Sequence, residues 1–233
     1  MRISLLVFPV LLCAAPGRAS ASDLPSWPNG RTRQDTNGDG SPDAWVTMRR
    51  AELVLIEEDL SGDQIIDRKT HYEGGVILCQ ETDRDFDTRF ETQSHFNRGV
   101  LVRVEVDMDG NGSPELVSHS GPGGVINHVE RDLDGDGFLE VAQYLREEGT
   151  VRRAHLDANK DGFSETVDYF DTEGNVILRV EDTDGDAAHD RWARYEAGVL
   201  KSYSYDTDRD GAPDKDEILT QEGELRRTII DLD

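Results

Sequence analysis

Eight copies of one nine-residue pattern, opening at Asp35, Asp59, Asp83, Asp107, Asp132, Asp157, Asp182 and Asp206, recur every 24 or 25 residues. A ninth opens at Asp231. A fixed period of this length predicts an array of identical supersecondary units, each burying its apolar surface against the next. Within the pattern, positions 1, 3 and 5 carry an acid or amide (once a serine), and position 9 is always acidic. Loop one presents Asp35, Asn37, Asp39 and Asp43, with the Ser41 carbonyl as a further donor. Loop two presents Asp59, Ser61, Asp63 and Asp67, and loop three Asp83, Asp85, Asp87 and Glu91. Loop four presents Asp107, Asp109, Asn111 and Glu115 with the Ser113 carbonyl, and loop five Asp132, Asp134, Asp136 and Glu140 with the Phe138 carbonyl. Loop six presents Asp157, Asn159, Asp161 and Glu165 with the Phe163 carbonyl. Loop seven presents Asp182, Asp184, Asp186 and Asp190. Loop eight presents Asp206, Asp208, Asp210 and Asp214 with the Ala212 carbonyl.

Side-chain oxygens at alternate positions of a tight loop suit a hard cation. Ca2+ takes six to eight oxygen ligands at roughly 2.3–2.6 Å. Gly-Asp and Asn-Gly clusters alone are ordinary turn chemistry, but an acid at position 9 of every copy is not explained by turns. Position 6 ranks the loops, because such loops bend sharply there and favour glycine. Gly40, Gly112, Gly137, Gly162 and Gly211 mark loops one, four, five, six and eight as intact. Ala187 weakens loop seven mildly, Gln64 makes loop two the poorest, and β-branched Thr88 fits a positive φ badly in loop three. About five to eight Ca2+ are therefore expected per chain.

Nine loop residues leave 15 or 16 per repeat. That is too few for the flanking helices of an EF-hand and enough for two strands of about six residues and a turn. Glycine recurs in the turn at Gly75, Gly99, Gly124, Gly149, Gly174, Gly198 and Gly223, with Ala51 in the first repeat. A fixed glycine between half-apolar runs predicts a hairpin needing φ > 0. Two residues later comes an aliphatic: Leu53, Ile77, Leu101, Ile126, Val151, Val176, Leu200 or Leu225. Met48, Tyr72, Phe96, Tyr144, Tyr169 and Tyr195 precede the turn, and the two columns are expected to form one apolar seam. The fold class is all-β: tandem 24–25-residue β-hairpin repeats, about sixteen antiparallel strands, joined by nine-residue calcium loops, elongated and either coiled or closed.

The balance of 49 acids against 25 bases gives a formal charge of −24, which argues against nucleic acid or an anionic membrane as partner. Hydrophobic content is 36%, lean for one well-filled core. Arg2, the apolar run Ile3 to Ala15 and the Ala19-x-Ala21 cleavage pattern predict a signal peptide over 1–21. Residues 22–34 read as a linker or N-terminal cap and 35–233 as the repeat domain. The apolar run, about 13 residues, is too short to span a bilayer. Export to the periplasm, the cell surface or the medium is expected. Leu11-Leu12-Cys13 offers lipid attachment as the alternative, disfavoured because Leu12 stands where a small residue is wanted. Cys79 then has no intrachain partner and reads as a small apolar residue on a strand.

The strings DTNGDGSPD, DMDGNGSPE, DLDGDGFLE and DTDRDGAPD resemble the DxDxDG calcium loops of thrombospondin type-3 repeats. They are similar also to the nine-residue loops on integrin-type propeller hairpins and to the first half of an EF-hand loop. The likeness covers the loops, about a third of the chain. It departs from the EF-hand at the twelfth position, where Val46, Ser118, Gln143 and Ala193 stand, and from thrombospondin in lacking the cysteines. The intervening Tyr-x-x-Gly-x-Leu pattern resembles the tandem hairpins of bacterial surface and toxin-shell proteins. That resemblance implies a bacterial exported repeat protein.

No phosphate-cradling glycine loop, Gly-x-Ser-x-Gly elbow or paired-histidine zinc motif occurs, and no enzyme is expected. His71, His95 and His119 fall at one phase of consecutive repeats, where a stacked column could bind a transition metal or simply face solvent. The expected function is a structural or adhesive exterior module rigidified by calcium. The alternative is a calcium-dependent recognition module binding an extracellular protein or glycan on its sheet face.

Overall fold

Whether a repeat has 24 or 25 residues decides how its hairpin turns. Repeats one, two, three and seven have 24 and close on two residues: Arg50-Ala51, Gly74-Gly75, Arg98-Gly99 and Ala197-Gly198. All eight of these residues have positive φ, the signature of a type I′ turn, whose twist matches the strands it joins. Repeats four, five, six and eight have 25 and close on three residues. In repeat five, for example, the Arg146 N–H donates to the Thr150 carbonyl at 2.8 Å, and the Gly149 N–H donates to the Arg146 carbonyl at 2.9 Å. The extra residue is thus absorbed in the turn, and the strand register is untouched. Ala51 is the one repeat-turn position where glycine is replaced, and it sits at φ 63°. Ala51→Gly is expected to raise stability by about 1 kcal/mol, read from chemical denaturation at saturating calcium.

The computed structural model describes residues 29–231, so the expected signal peptide and most of the 22–34 segment lie outside the described residues. Seventeen strands follow one another: β1 (Gly30–Gln34), β2 (Ala44–Arg49), β3 (Glu52–Glu58), β4 (Arg68–Glu73), β5 (Val76–Thr82), β6 (Thr92–Asn97), β7 (Val100–Val106), β8 (Leu116–Ser120), β9 (Ile126–Arg131), β10 (Val141–Leu145), β11 (Val151–Leu156), β12 (Thr166–Phe170), β13 (Val176–Glu181), β14 (Arg191–Glu196), β15 (Val199–Tyr205), β16 (Lys215–Leu219) and β17 (Leu225–Ile230). Each pairs antiparallel with its chain neighbours, giving a meander from β1 to β17. The count exceeds sixteen because residues 30–34, expected in the linker or cap, form β1 against β2. No pairing joins β1 to β17, so the sheet is open and the closed alternative is excluded.

Since odd strands lead into loops and even strands into turns, all eight loops line one long edge of the sheet and all turns line the other. Each hairpin also carries one register shift, as where Thr47 faces Leu55 but Met48 faces Leu53. Such bulges increase local twist. The apolar seam forms near the turns, with Met48 opposite Leu53, Tyr72 opposite Ile77, Phe96 opposite Leu101 and Tyr195 opposite Leu200. Tyr144 and Tyr169 do not belong to it. Tyr144 and Tyr169 stand one residue closer to the preceding loop than Tyr72 and Phe96 do, so Leu145 and Phe170 face Val151 and Val176 instead. A one-residue shift moves a side chain to the opposite face, and Tyr144 joins the row of the histidines.

Burial is unusual in kind. Among the described residues six apolar side chains are buried, namely Ala44, Val106, Val117, Val167, Val180 and Ala193. Seven loop carboxylates are equally buried: Asp59, Asp67, Asp83, Glu91, Asp132, Glu140 and Asp157. Asp67 and Asp83 are each 1% exposed.

Candidate metal centres

Each loop is wound around its own carboxylates. The position-1 aspartate accepts the N–H groups of positions 4 and 6 in all eight loops at 2.6–2.9 Å. The position-5 side chain accepts the N–H of position 7 at 2.7–3.0 Å. The position-9 acid reaches back to the N–H of position 2 at 2.6–3.2 Å. An acid at position 9 therefore has a structural task beside any metal. Both uses are compatible, because an ionised carboxylate offers about four lone-pair sites.

This winding requires left-handed backbone twice per loop. Position 6 has positive φ throughout, including Gln64 at 72°, Thr88 at 83° and Ala187 at 65°. Position 4 does too, which the sequence reading missed because glycine there is interrupted by Phe86, Lys160 and Arg209. Successive loops are also bonded to each other. The N–H of position 1 donates to the position-9 carbonyl of the preceding loop, from Asp59 on Asp43 to Asp231 on Asp214, at 2.7–3.0 Å.

In loops three to six the expected acidic ligands are brought together. Asp83, Asp85, Asp87 and Glu91 place one oxygen each within 4.8 Å of one another, as do Asp132, Asp134, Asp136 and Glu140. The carboxylates of Asp107, Asp109 and Glu115, and of Asp157, Asp161 and Glu165, converge likewise. Loops four and six add the amides Asn111 and Asn159 at positions 5 and 3. Loop three, ranked low on Thr88, gathers as many carboxylates as loop five. In loops one, two, seven and eight, Asp35, Asp59, Asp182 and Asp206 hold the same position-1 hydrogen bonds.

The residues fit a cation on three counts. Glu91 Oε1 and Glu115 Oε1 are buried with no hydrogen-bond partner, and leaving a charged acceptor so costs at least about 1–3 kcal/mol. In loop five the same atom is satisfied, by a positive charge. Lys160 Nζ lies 2.9 Å from Glu140 Oε1, 2.6 Å from Asp136 Oδ2, and 2.9 and 3.0 Å from the Asp134 oxygens. Lys160 is position 4 of loop six, aimed at the acids of the loop before. Its hydrogen bond holds the Asp136 carboxyl below the usual range, and the Leu133 N–H together with Lys160 does the same for Glu140. Arg209, at position 4 of loop eight, likewise reaches Asp184 and Asp186 of loop seven. Loop three holds a cation of its own, Arg89, paired with Asp87 at 2.7 Å; loops five and seven take theirs from the following loop, which their position-6 residues did not reveal.

No family model matches the chain, and no curated protein does. A solved structure described as "Crystal Structure of TcdB2-TccC3-TEV" is similar over 76% of this chain and 12% of its own, at 10% identity and a TM-score of 0.23. That likeness is too low to carry an argument about this chain.

Proposed function

We propose that this is an exported calcium-binding repeat protein, a structural or adhesive module whose sheet is made rigid by Ca2+ along one edge. The observation that carries the reading is the matching pair of facts at position 9. Its inward oxygen is orphaned in loops three and four and meets an ammonium in loop five. An all-oxygen donor set on a flexible loop favours Ca2+ over Mg2+, which demands near-ideal octahedral geometry at about 2.0–2.1 Å. Bonded end to end, the loops would turn separate hairpins into one strip, since stability in such arrays is a sum of neighbour terms. Part of the aromatic set favours a structural module over the alternative, a recognition face for protein or glycan. The strand rings Trp45, Tyr144, Tyr203 and Tyr205 and the loop ring Phe90 each lie under a cation, from Arg31, Arg153, Arg191, Lys215 and Lys69. They are thus engaged within the chain rather than gathered into a bare apolar patch.

Calorimetric titration of the chain tests the proposal. About five to eight Ca2+ are expected per chain, with much weaker uptake of Mg2+. Lys160→Met removes the competing charge from loop five and is expected to tighten one of the sites by about tenfold or more. A stoichiometry of one or none overturns the reading.

A further inference from the structure

The histidine column expected from the repeat phase is real but interrupted. One cross-strand row reads Leu55, His71, Cys79, His95, Arg103, His119, His128, Tyr144 and Arg153. His71, His95 and His119 are therefore two strands apart, about 9–10 Å, with Cys79 and Arg103 between them. They cannot share an ion. Only hairpin four, β8 and β9, sets two imidazoles opposite each other.

We propose that His119, His128 and Glu130 form a second kind of metal site in this protein, for a borderline transition-metal ion such as Zn2+, separate from the all-oxygen loops. The His119 and His128 rings stack with centroids 5.1 Å apart and planes at 20°. His119 Nε2 lies 2.9 Å from Glu130 Oε2, and His128 Nε2 lies 4.0 Å from Glu130 Oε1. One donor atom from each residue falls within 4.8 Å of the other two. Tetrahedral zinc with bonds of about 2.0–2.2 Å needs donors a little over 3 Å apart, which small ring movements supply. His128 Nε2 is buried and has no hydrogen-bond partner. A metal ion would supply the partner that this buried ring nitrogen lacks. Tyr144 stacks on the other side of His128 at 4.5 Å and 8°, with the Arg153 guanidinium over Tyr144 at 4.5 Å, so the ligand ring is braced. Two imidazoles and a carboxylate leave a fourth tetrahedral position for water or a ligand from outside, as in three-residue zinc sites. Nitrogen donors select Zn2+, Cu2+ or Ni2+ over Ca2+.

The test is zinc titration of the full chain in saturating calcium, so that the loops are occupied, followed by calorimetry and by the visible spectrum of Co2+ in place of zinc. Wild type is expected to take up one zinc with a nitrogen–oxygen cobalt spectrum free of thiolate charge transfer. His128→Gln and Glu130→Gln are expected to abolish it while calcium uptake and circular dichroism stay unchanged. Cys79→Ser and His71→Gln are expected to retain it. Equal zinc uptake by wild type and both site variants overturns the proposal, as does loss of zinc in Cys79→Ser. The two glutamine variants change different side chains of β9, and one that failed to fold would leave the other to decide.

Discussion

Excess chelator is expected to expand this protein and open it to protease along its whole length, with calcium restoring the compact form. The chain carries a formal charge of −24, concentrated on one edge of the sheet. Without cations the converging loop acids repel one another at a few ångströms, where unit charges interact by about 4 kcal/mol at an effective dielectric of 20. Against this stand six buried apolar side chains, a small apolar contribution beside the entropy of ordering some two hundred residues. A cation that binds only the folded chain stabilises it by RT ln(1 + [L]/Kd), about 2.7 kcal/mol per site at a hundredfold excess over Kd. Several such sites together reach the whole stability of an ordinary domain, about 5–15 kcal/mol. Small-angle scattering and limited proteolysis at low salt read the outcome. A profile that stays compact in chelator would show that the hairpins hold through their backbone ladder alone.

Asp83→Ala and Asp85→Asn are expected to part sharply in the same assay. Asp83 is 1% exposed and accepts the N–H groups of Phe86 and Thr88, both non-glycine residues held at positive φ. Losing two charge-assisted hydrogen bonds there costs about 3 kcal/mol or more, with or without calcium. Asp85 converges on the same site but accepts none of the loop hydrogen bonds found for Asp83, Asp87 and Glu91. Its amide variant is expected to melt like wild type in chelator and to lose part of the calcium-dependent gain. If both variants lose stability only in calcium, position 1 is a ligand and not the spool on which the loop is wound.

The period, the acid phase and the turn glycines were enough to read out tandem antiparallel hairpins and the convergence of the loop acids. Those features are local: a nine-residue loop closes on its own hydrogen bonds, and a two- or three-residue turn fixes its own register. The 24-against-25 spacing even encoded the turn type, but Tyr144 and Tyr169, one residue nearer their loops than Tyr72 and Phe96, were read into the seam although that single step turns them to the other face. What only the tertiary structure decided lies between repeats. Whether the sheet closes depends on accumulated twist over seventeen strands, which no single repeat specifies. Lys160 and Arg209 occupy position 4 of their own loops, yet their charges serve the loops before them. Tyr144 of the next repeat stacks on His128 only because β9 and β10 pair across loop five. The sequence by itself determined each loop and each hairpin, since their contacts are close along the chain. Stacking determined which charge or ring faces which, since those contacts join residues far apart in sequence.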